Sequence, residues 1–176
     1  HNIENNFKVE QQDLEASIPE VEYINKTVKR FFEKLYGDES VEIKVTRSKY
    51  APAQCLNFIF KGVELEFSQL SSGERYLFAL VLELIFRIID LNPNKLDFVS
   101  LPGIVLIDEI EDHLHPRWQL TIIEALEAAF PNVQFIVSTH SPLIASSVKR
   151  EQLIALSNFE IIPSEELDDI YSDSAD

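Results

Sequence analysis

The 176-residue chain contains no methionine, one cysteine and only four glycines. Basic residues are also scarce, with 15 Lys and Arg against 30 Asp and Glu, for a formal net charge of −15. A surface of that sign repels phosphate backbones on average, which argues against a broad nucleic-acid footprint. Contact with nucleic acid is therefore expected only through regions outside this chain, while a small phosphate site or a basic partner stays compatible. The single cysteine, Cys55, cannot form an internal disulfide, and a reducing cytoplasm is the simplest reading. Long apolar runs are missing too. The longest, residues 76–89, is interrupted by Glu83 and Arg87 and falls short of the about 20 residues a bilayer requires, so no membrane partner is expected. The chain opens on His1-Asn2-Ile3 with no basic-then-apolar leader, and its lack of methionine predicts a piece of something longer.

What is present is the balance of a globular domain, with 45% apolar and 26% charged residues. From Pro19 to Tyr36, Val21, Ile24, Val28, Phe31, Phe32 and Leu35 recur at steps of three and four, which predicts an amphipathic helix closed by Gly37. Val41, Ile43 and Val45 alternate with polar residues as in a half-buried strand, and 56–60 and 63–67 flank Lys61-Gly62 as in a hairpin. A long helix is expected over 74–90. The continuous apolar run 103–107 reads as a strand buried on both faces of a parallel sheet. Pro116 opens a helix that Phe130-Pro131-Asn132 closes, 133–137 is the next strand, Pro142 opens a short helix, and 152–156 is a last strand. The order strand, helix, strand, helix, strand implies an α/β fold with parallel strands. The acidic stretch 164–176 holds no basic residue and is expected to be a mobile, solvated tail.

Two of these strands end in polar clusters, Asp108-Glu109 and Ser138-Thr139-His140-Ser141. In an open parallel sheet both fall on the carboxyl edge, where ligands bind. An apolar strand ending in Asp-Glu suits a carboxylate that holds Mg²⁺ directly or through water, followed by one that orients or deprotonates an attacking water. Ser71-Ser72-Gly73-Glu74 fits a capping box, with Ser71 as N-cap and Glu74 reaching back. The same geometry leaves amides at a helix N-terminus, where Gly73 would let the backbone approach an anion. His113-Leu114-His115 near acids could instead ligate zinc with Asp108, Asp112 or His140. Trp118 and the Phe-rich stretches read as core.

Taken together, the motifs resemble those of ABC-type ATPases. Leu70-Ser71-Ser72-Gly73-Glu74 is similar to the signature L-S-G-G-Q, with Ser72 for the first glycine and Glu74 for the glutamine. Residues 104–109 resemble a Walker B strand with its catalytic glutamate. Residues 110–116 resemble the D-loop in the D-E-x-E-x-H-L-H-P form of the RecF/OLD-like, non-transporter branch, and Ser138-Thr139-His140-Ser141-Pro142 resembles its switch histidine. The nearest branch is that of the bacterial AAA-type ATP-binding proteins, including the Septu and retron-associated anti-phage ATPases.

The resemblance implies ATP and Mg²⁺ as cofactors and a head-to-tail dimer with ATP between protomers. Asp108 would position Mg²⁺ through water, Glu109 would polarise the attacking water and His140 would contact the γ-phosphate. Ser71, Ser72, Gly73 and Glu74 would clamp nucleotide held by the other protomer, while Asp112, His113 and His115 would cross the interface. A nuclease or another effector partner would take the output. One family feature is absent: none of Gly37, Gly62, Gly73 and Gly103 precedes a lysine, so the chain has no Walker A loop to cradle phosphates. The resemblance thus covers the C-terminal half of such an ATPase, inactive by itself. It implies 1–37 as the end of a helical insertion, 38–163 as the ATPase lobe and 164–176 as the tail. The rival readings are a metal-dependent hydrolase built on His113, His115, His140 and the acids, and a catalytically silent dimerisation or regulatory module.

Overall fold

A computed structural model describes residues 19–37, 41–47, 54–60, 62–92, 101–158 and 160–162. The expected acidic tail at 164–176 lies outside the described residues, as do residues 1–18. The first helix, α1 (Pro19–Tyr36), has the predicted bounds, and Gly37 follows it at φ 87°, the left-handed turn that a residue without Cβ adopts at little cost. Strands β1 (Val41–Arg47), β2 (Gln54–Phe60) and β3 (Val63–Glu66) form an antiparallel meander. Its register runs from Val41↔Phe60 to Arg47↔Gln54 and from Phe60↔Val63 to Asn57↔Glu66.

A 3₁₀ turn, Phe67–Gln69, leads through buried Leu70 into α2 (Ser72–Leu91). This helix buries Gly73, Leu77, Phe78, Val81, Leu84 and Ile85, a stripe at three- and four-residue spacing that faces the core. Strand β4 (Gly103–Ile107) then pairs in parallel with β5 (Val133–Val137), residue for residue from Gly103↔Val133 to Ile107↔Val137.

The connection between these strands differs from the single helix that its pattern predicts. It is two helices, α3 (Pro116–Gln119) and α4 (Ile122–Ala129). At the break the Thr121 hydroxyl donates to the carbonyls of Leu35 at 3.3 Å and Trp118 at 3.4 Å, tying the bend to the end of α1. Helix α5 (Pro142–Ser147) follows β5. The strand expected at 152–156 is replaced by a 3₁₀ turn, Arg150–Gln152, and an antiparallel pair, β6 (Leu156–Ser157) with β7 (Glu160–Ile161). Leu156 pairs with Ile161 and Ser157 with Glu160, Asn158 has φ 51°, and this pair does not extend the parallel sheet.

The core lies between α1, α2 and α4. Phe31, Phe32, Leu77, Ile85, Ile122 and Leu126 have no accessible surface. Phe32 packs on Phe78 with ring centroids 4.1 Å apart, and Tyr36 carries this stack to Trp118 at 5.6 Å. Burying one such ring contributes about 1.5–3 kcal/mol. The parallel sheet offers the core only one face. Val105, Ile107, Val133, Phe135 and Val137 pack toward it, while Ile104, Leu106 and Ile136 remain 65%, 76% and 50% exposed. The expectation of burial on both faces is corrected accordingly: no described element covers the second face.

Candidate functional site

Strands β4 and β5 end side by side, and their following loops are tied together. The Ser138 N–H donates to the carbonyl of Ile107 at 2.9 Å, and the Ile110 N–H donates to the carbonyl of Ser138 at 3.1 Å. Between these bonds the Ser138 hydroxyl donates to Oδ1 of Asp108 and accepts from the N–H of Glu109 at 2.9 Å. One serine thus fixes both members of the Asp-Glu pair relative to the end of the neighbouring strand. Asp108, Glu109, Ser138 and His140 are exposed.

Glu109 has φ 49° and His113 has φ 63°. Both adopt the left-handed conformation that a side chain disfavours by about 1–2 kcal/mol. Such strain persists only where surrounding contacts impose it, and it concentrates at functional loops. Here the Asp112 N–H bonds back to the carbonyl of Glu109 at 3.0 Å and the Leu114 N–H to that of Glu111 at 2.9 Å, so 109–114 is a pair of interlocked turns. Ile110 and Leu114 point into the core and anchor them.

Glu111 crosses to the second loop. Its Oε1 accepts from the N–H of His140, and it also accepts from the Thr139 hydroxyl. Burial pushes the carboxyl upward, but the Thr139 hydroxyl, the His140 and Glu111 N–H groups and the charge of His140 outweigh it, leaving it below the ordinary glutamate value. Tyr76 is pushed upward, first by burial and then by the negative charge of Asp112.

The start of α2 forms the predicted capping box. The Ser71 N–H donates to Oε2 of Glu74 at 2.7 Å, and the Glu74 N–H donates to Oγ of Ser71 at 3.3 Å. Gly73 serves a purpose that the motif does not reveal. It is buried, and a Cβ there would stand 2.8 Å from the carbonyl oxygen of His113 and 2.8 Å from Cζ3 of Trp118. Its lack of a side chain therefore lets α2 pack on the 109–115 loop. The His113 ring meets Tyr76 edge-on at 5.7 Å. At this helix start Ser71, Ser72 and Arg75 are exposed and Glu74 is half-buried.

His115 caps α3, its Nδ1 accepting from the Arg117 N–H at 3.2 Å. With His113 on Tyr76 and His115 used as a cap, the metal grouping of His113, His115 and His140 is not formed. Among the described residues no three His, Cys, Asp or Glu side chains gather as a metal-holding group. The exposed Asp108 carboxylate at the strand end is of the chemistry that suits Mg²⁺, a hard cation usually held by one or two carboxylates with waters and substrate phosphates.

The structure therefore brings Asp108, Glu109 and the His140 backbone together at the sheet edge, with Ser71–Glu74 joined to them through Gly73 and the 109–115 turns. Two participants, Ser138 and Glu111, were hidden within the motif strings. Their signal is the polar side chain placed opposite a backbone N–H some thirty residues away, which only strand pairing discloses. A third, Gln119, donates from Nε2 to the carbonyl of Leu114 at 3.1 Å and accepts from the Ser141 hydroxyl at 2.7 Å, holding the start of α5 against α3.

The family model described as "AAA domain, putative AbiEii toxin, Type IV TA system" matches residues 7–146. The chain belongs to this AAA family. The AAA chain is 40% identical over 149 residues to the "Retron Vc95 probable ATPase" of Vibrio cholerae serotype O1 biovar El Tor, covering 85% of this chain and 27% of that protein. It is 34% identical over 134 residues to the "Septu protein PtuA" of Bacillus mycoides (strain KBAB4), covering 76% of this chain and 18% of that protein. It therefore spans between 18% and 27% of the length of these curated relatives. Among solved structures, it superposes on a chain from work on ATP-driven dimerization and DNA-stimulated activation of SMC ATPases. The TM-score is 0.58 at 16% identity, with 89% of this chain and 93% of that one covered. That likeness is one of fold, and it agrees with the α/β parallel-sheet architecture that the motifs imply. Among the described residues no helix is long and apolar enough to cross a membrane.

Proposed function

We propose that this chain is the signature, Walker B and switch lobe of an ABC-type ATPase that hydrolyses ATP between two protomers packed head to tail. The observation that carries the reading is the Ser138 hydroxyl shared by Asp108 and the Glu109 backbone at the carboxyl edge of two parallel strands. It holds the pair in place while leaving the Glu109 carboxylate exposed to a water. Asp108 would hold Mg²⁺ through water, and the ion would neutralise charge on the transferred phosphoryl group. Glu109 accepts a proton from the attacking water, and His140 is presented toward the γ-phosphate from the adjoining strand.

Ser71, Ser72 and the amides at the start of α2 face nucleotide bound by the other protomer, where the helix dipole favours negative charge. The lysine-bearing phosphate loop comes from outside these 176 residues, so the chain alone is inactive. The output that the motif resemblance implies is anti-phage defence through an effector partner such as a nuclease, and the likeness to a retron ATPase and a Septu protein agrees with that setting.

Glu109→Gln in the complete protein tests this. The change keeps shape and hydrogen bonding while removing the base, so hydrolysis should fall by about 10²–10⁴-fold with ATP binding intact. Turnover near wild type would move the base elsewhere.

A further inference from the structure

Glu111 lies within the 110–116 motif but has no role assigned there, yet it makes a side-chain bridge from the 109–114 turns to the loop that carries His140. Its Oε1 accepts from the His140 N–H and its carboxylate also takes the Thr139 hydroxyl, while Oε2 is buried with no partner. A buried carboxylate oxygen without a donor costs free energy. The bonds that the carboxylate does make outweigh this cost and hold it charged, and one of them is a charge-assisted bond to one particular backbone amide. The other bonds between the loops act at Ser138, at the strand end itself. Beyond Ser138 the Glu111 contact constrains the next two residues, including the backbone of His140. The carbonyl of Glu111 in turn accepts from Leu114, which fixes Glu111 within the turn that carries Asp112 and His113.

We propose that Glu111 is a positioning residue, which sets the His140 backbone relative to Glu109 and couples it to the 111–114 turn. The inference rests on the ATPase reading for its consequence, but the contact can be examined without it. When Glu111 holds the loop, His140 meets the γ-phosphate with its direction already set. When Glu111 is lost, the His140 N–H is left without its acceptor and the loop samples other arrangements. The effect should fall on the chemical step and spare nucleotide affinity.

The test uses the complete protein with Glu111→Ala, Glu111→Asp and Glu111→Gln, each alone and combined with His140→Ala. Glu111→Ala and Glu111→Asp, which cannot reach the amide, should lower kcat by about 10–100-fold with KM for ATP within about threefold, the range of a mispositioned catalytic group. Glu111→Gln keeps one acceptor oxygen and should recover part of that loss. In the His140→Ala background each change should cost little more, because both act through one group. Additive losses, or a KM effect without a kcat effect, would overturn the proposal. Hydrogen exchange at the His140 amide is followed in the same proteins and should quicken about tenfold or more in Glu111→Ala. Unchanged exchange would overturn the contact even if the ATPase reading stands. A wild-type protein that hydrolyses no ATP would overturn the ATPase reading, leaving the exchange result to decide the contact.

Discussion

Around Phe32 the packing is aromatic and aliphatic: Phe31, Tyr36 and Phe78 pack on its ring, and Leu35, Leu77 and Leu126 are buried with it. At the sheet edge, a short distance along the chain from Ile107 and Val137, Asp108, Glu109, Asp112, His113, Ser138 and His140 are exposed. There, order comes from single hydrogen bonds and from backbone held at positive φ. The first region uses nondirectional burial, which stabilises the fold and tolerates small rearrangements. The second uses directional bonds that add little stability and fix particular atoms. The comparison teaches that stability and chemistry are carried by different residues here, and that Gly73 is where they meet, because its contact with His113 and Trp118 presses a core helix onto the edge loop.

The strongest way to break this division is Glu109→Gln. The account expects the loss of hydrolysis given above with a thermal midpoint unchanged within experimental error, because the side chain is exposed. A large fall in the midpoint, read by calorimetry, would make Glu109 structural. The converse is Phe32→Ala, which opens a cavity in the core and should cost about 3–5 kcal/mol in denaturant unfolding. ATPase activity per folded molecule should survive where the protein stays folded. Next comes Gly73→Ala. The added methyl meets a carbonyl oxygen and an indole ring at 2.8 Å, so α2 or the 109–115 loop must shift. A loss of about 1–3 kcal/mol, typical of overpacking, is expected together with slower hydrolysis. A change in stability with activity untouched would separate the two regions after all.

The smallest effect concerns pH. Glu111 is held below the ordinary glutamate value, so its contribution to stability is present at neutral pH. It should be lost as pH falls through that lowered value. The groups around it are His140 and Thr139 on the facing loop and Asp112 beside it. Thermal midpoints of wild type and Glu111→Gln should therefore differ near neutrality and converge under acid; a constant gap would contradict the assignment.

Much of this is legible in the amino-acid sequence. The period of Val28, Phe31, Phe32 and Leu35 located α1, and Gly37 marked its end. The Ser71/Glu74 spacing gave the capping box, and the polar clusters after two apolar runs gave the sheet edge. What escaped depends on partners distant in sequence. Apolar continuity in 103–107 could not reveal that one face lacks a cover among the described residues. The break at Thr121 depends on the Leu35 carbonyl, contributed by another helix. Gly73 looked like a place for an anion, and its burial under His113 and Trp118 follows from loop geometry that spacing does not encode. Glu111 read as one acid among several until its bond to the His140 N–H singled it out.

The central claim is that the edge of one protomer acts with the α2 start of another. The direct measurement mixes two inactive forms of the complete protein. One carries Ser72→Glu, an exposed position at the start of α2 where an acid suits the helix dipole but would face the partner's γ-phosphate. The other carries Glu109→Gln. In a mixed dimer one composite site holds an intact Glu109 with an intact Ser72, and the other carries both defects. The account predicts ATP hydrolysis by the mixture well above either form alone. Hydrolysis no greater than the average of the two, or Ser72→Glu active by itself, would contradict it.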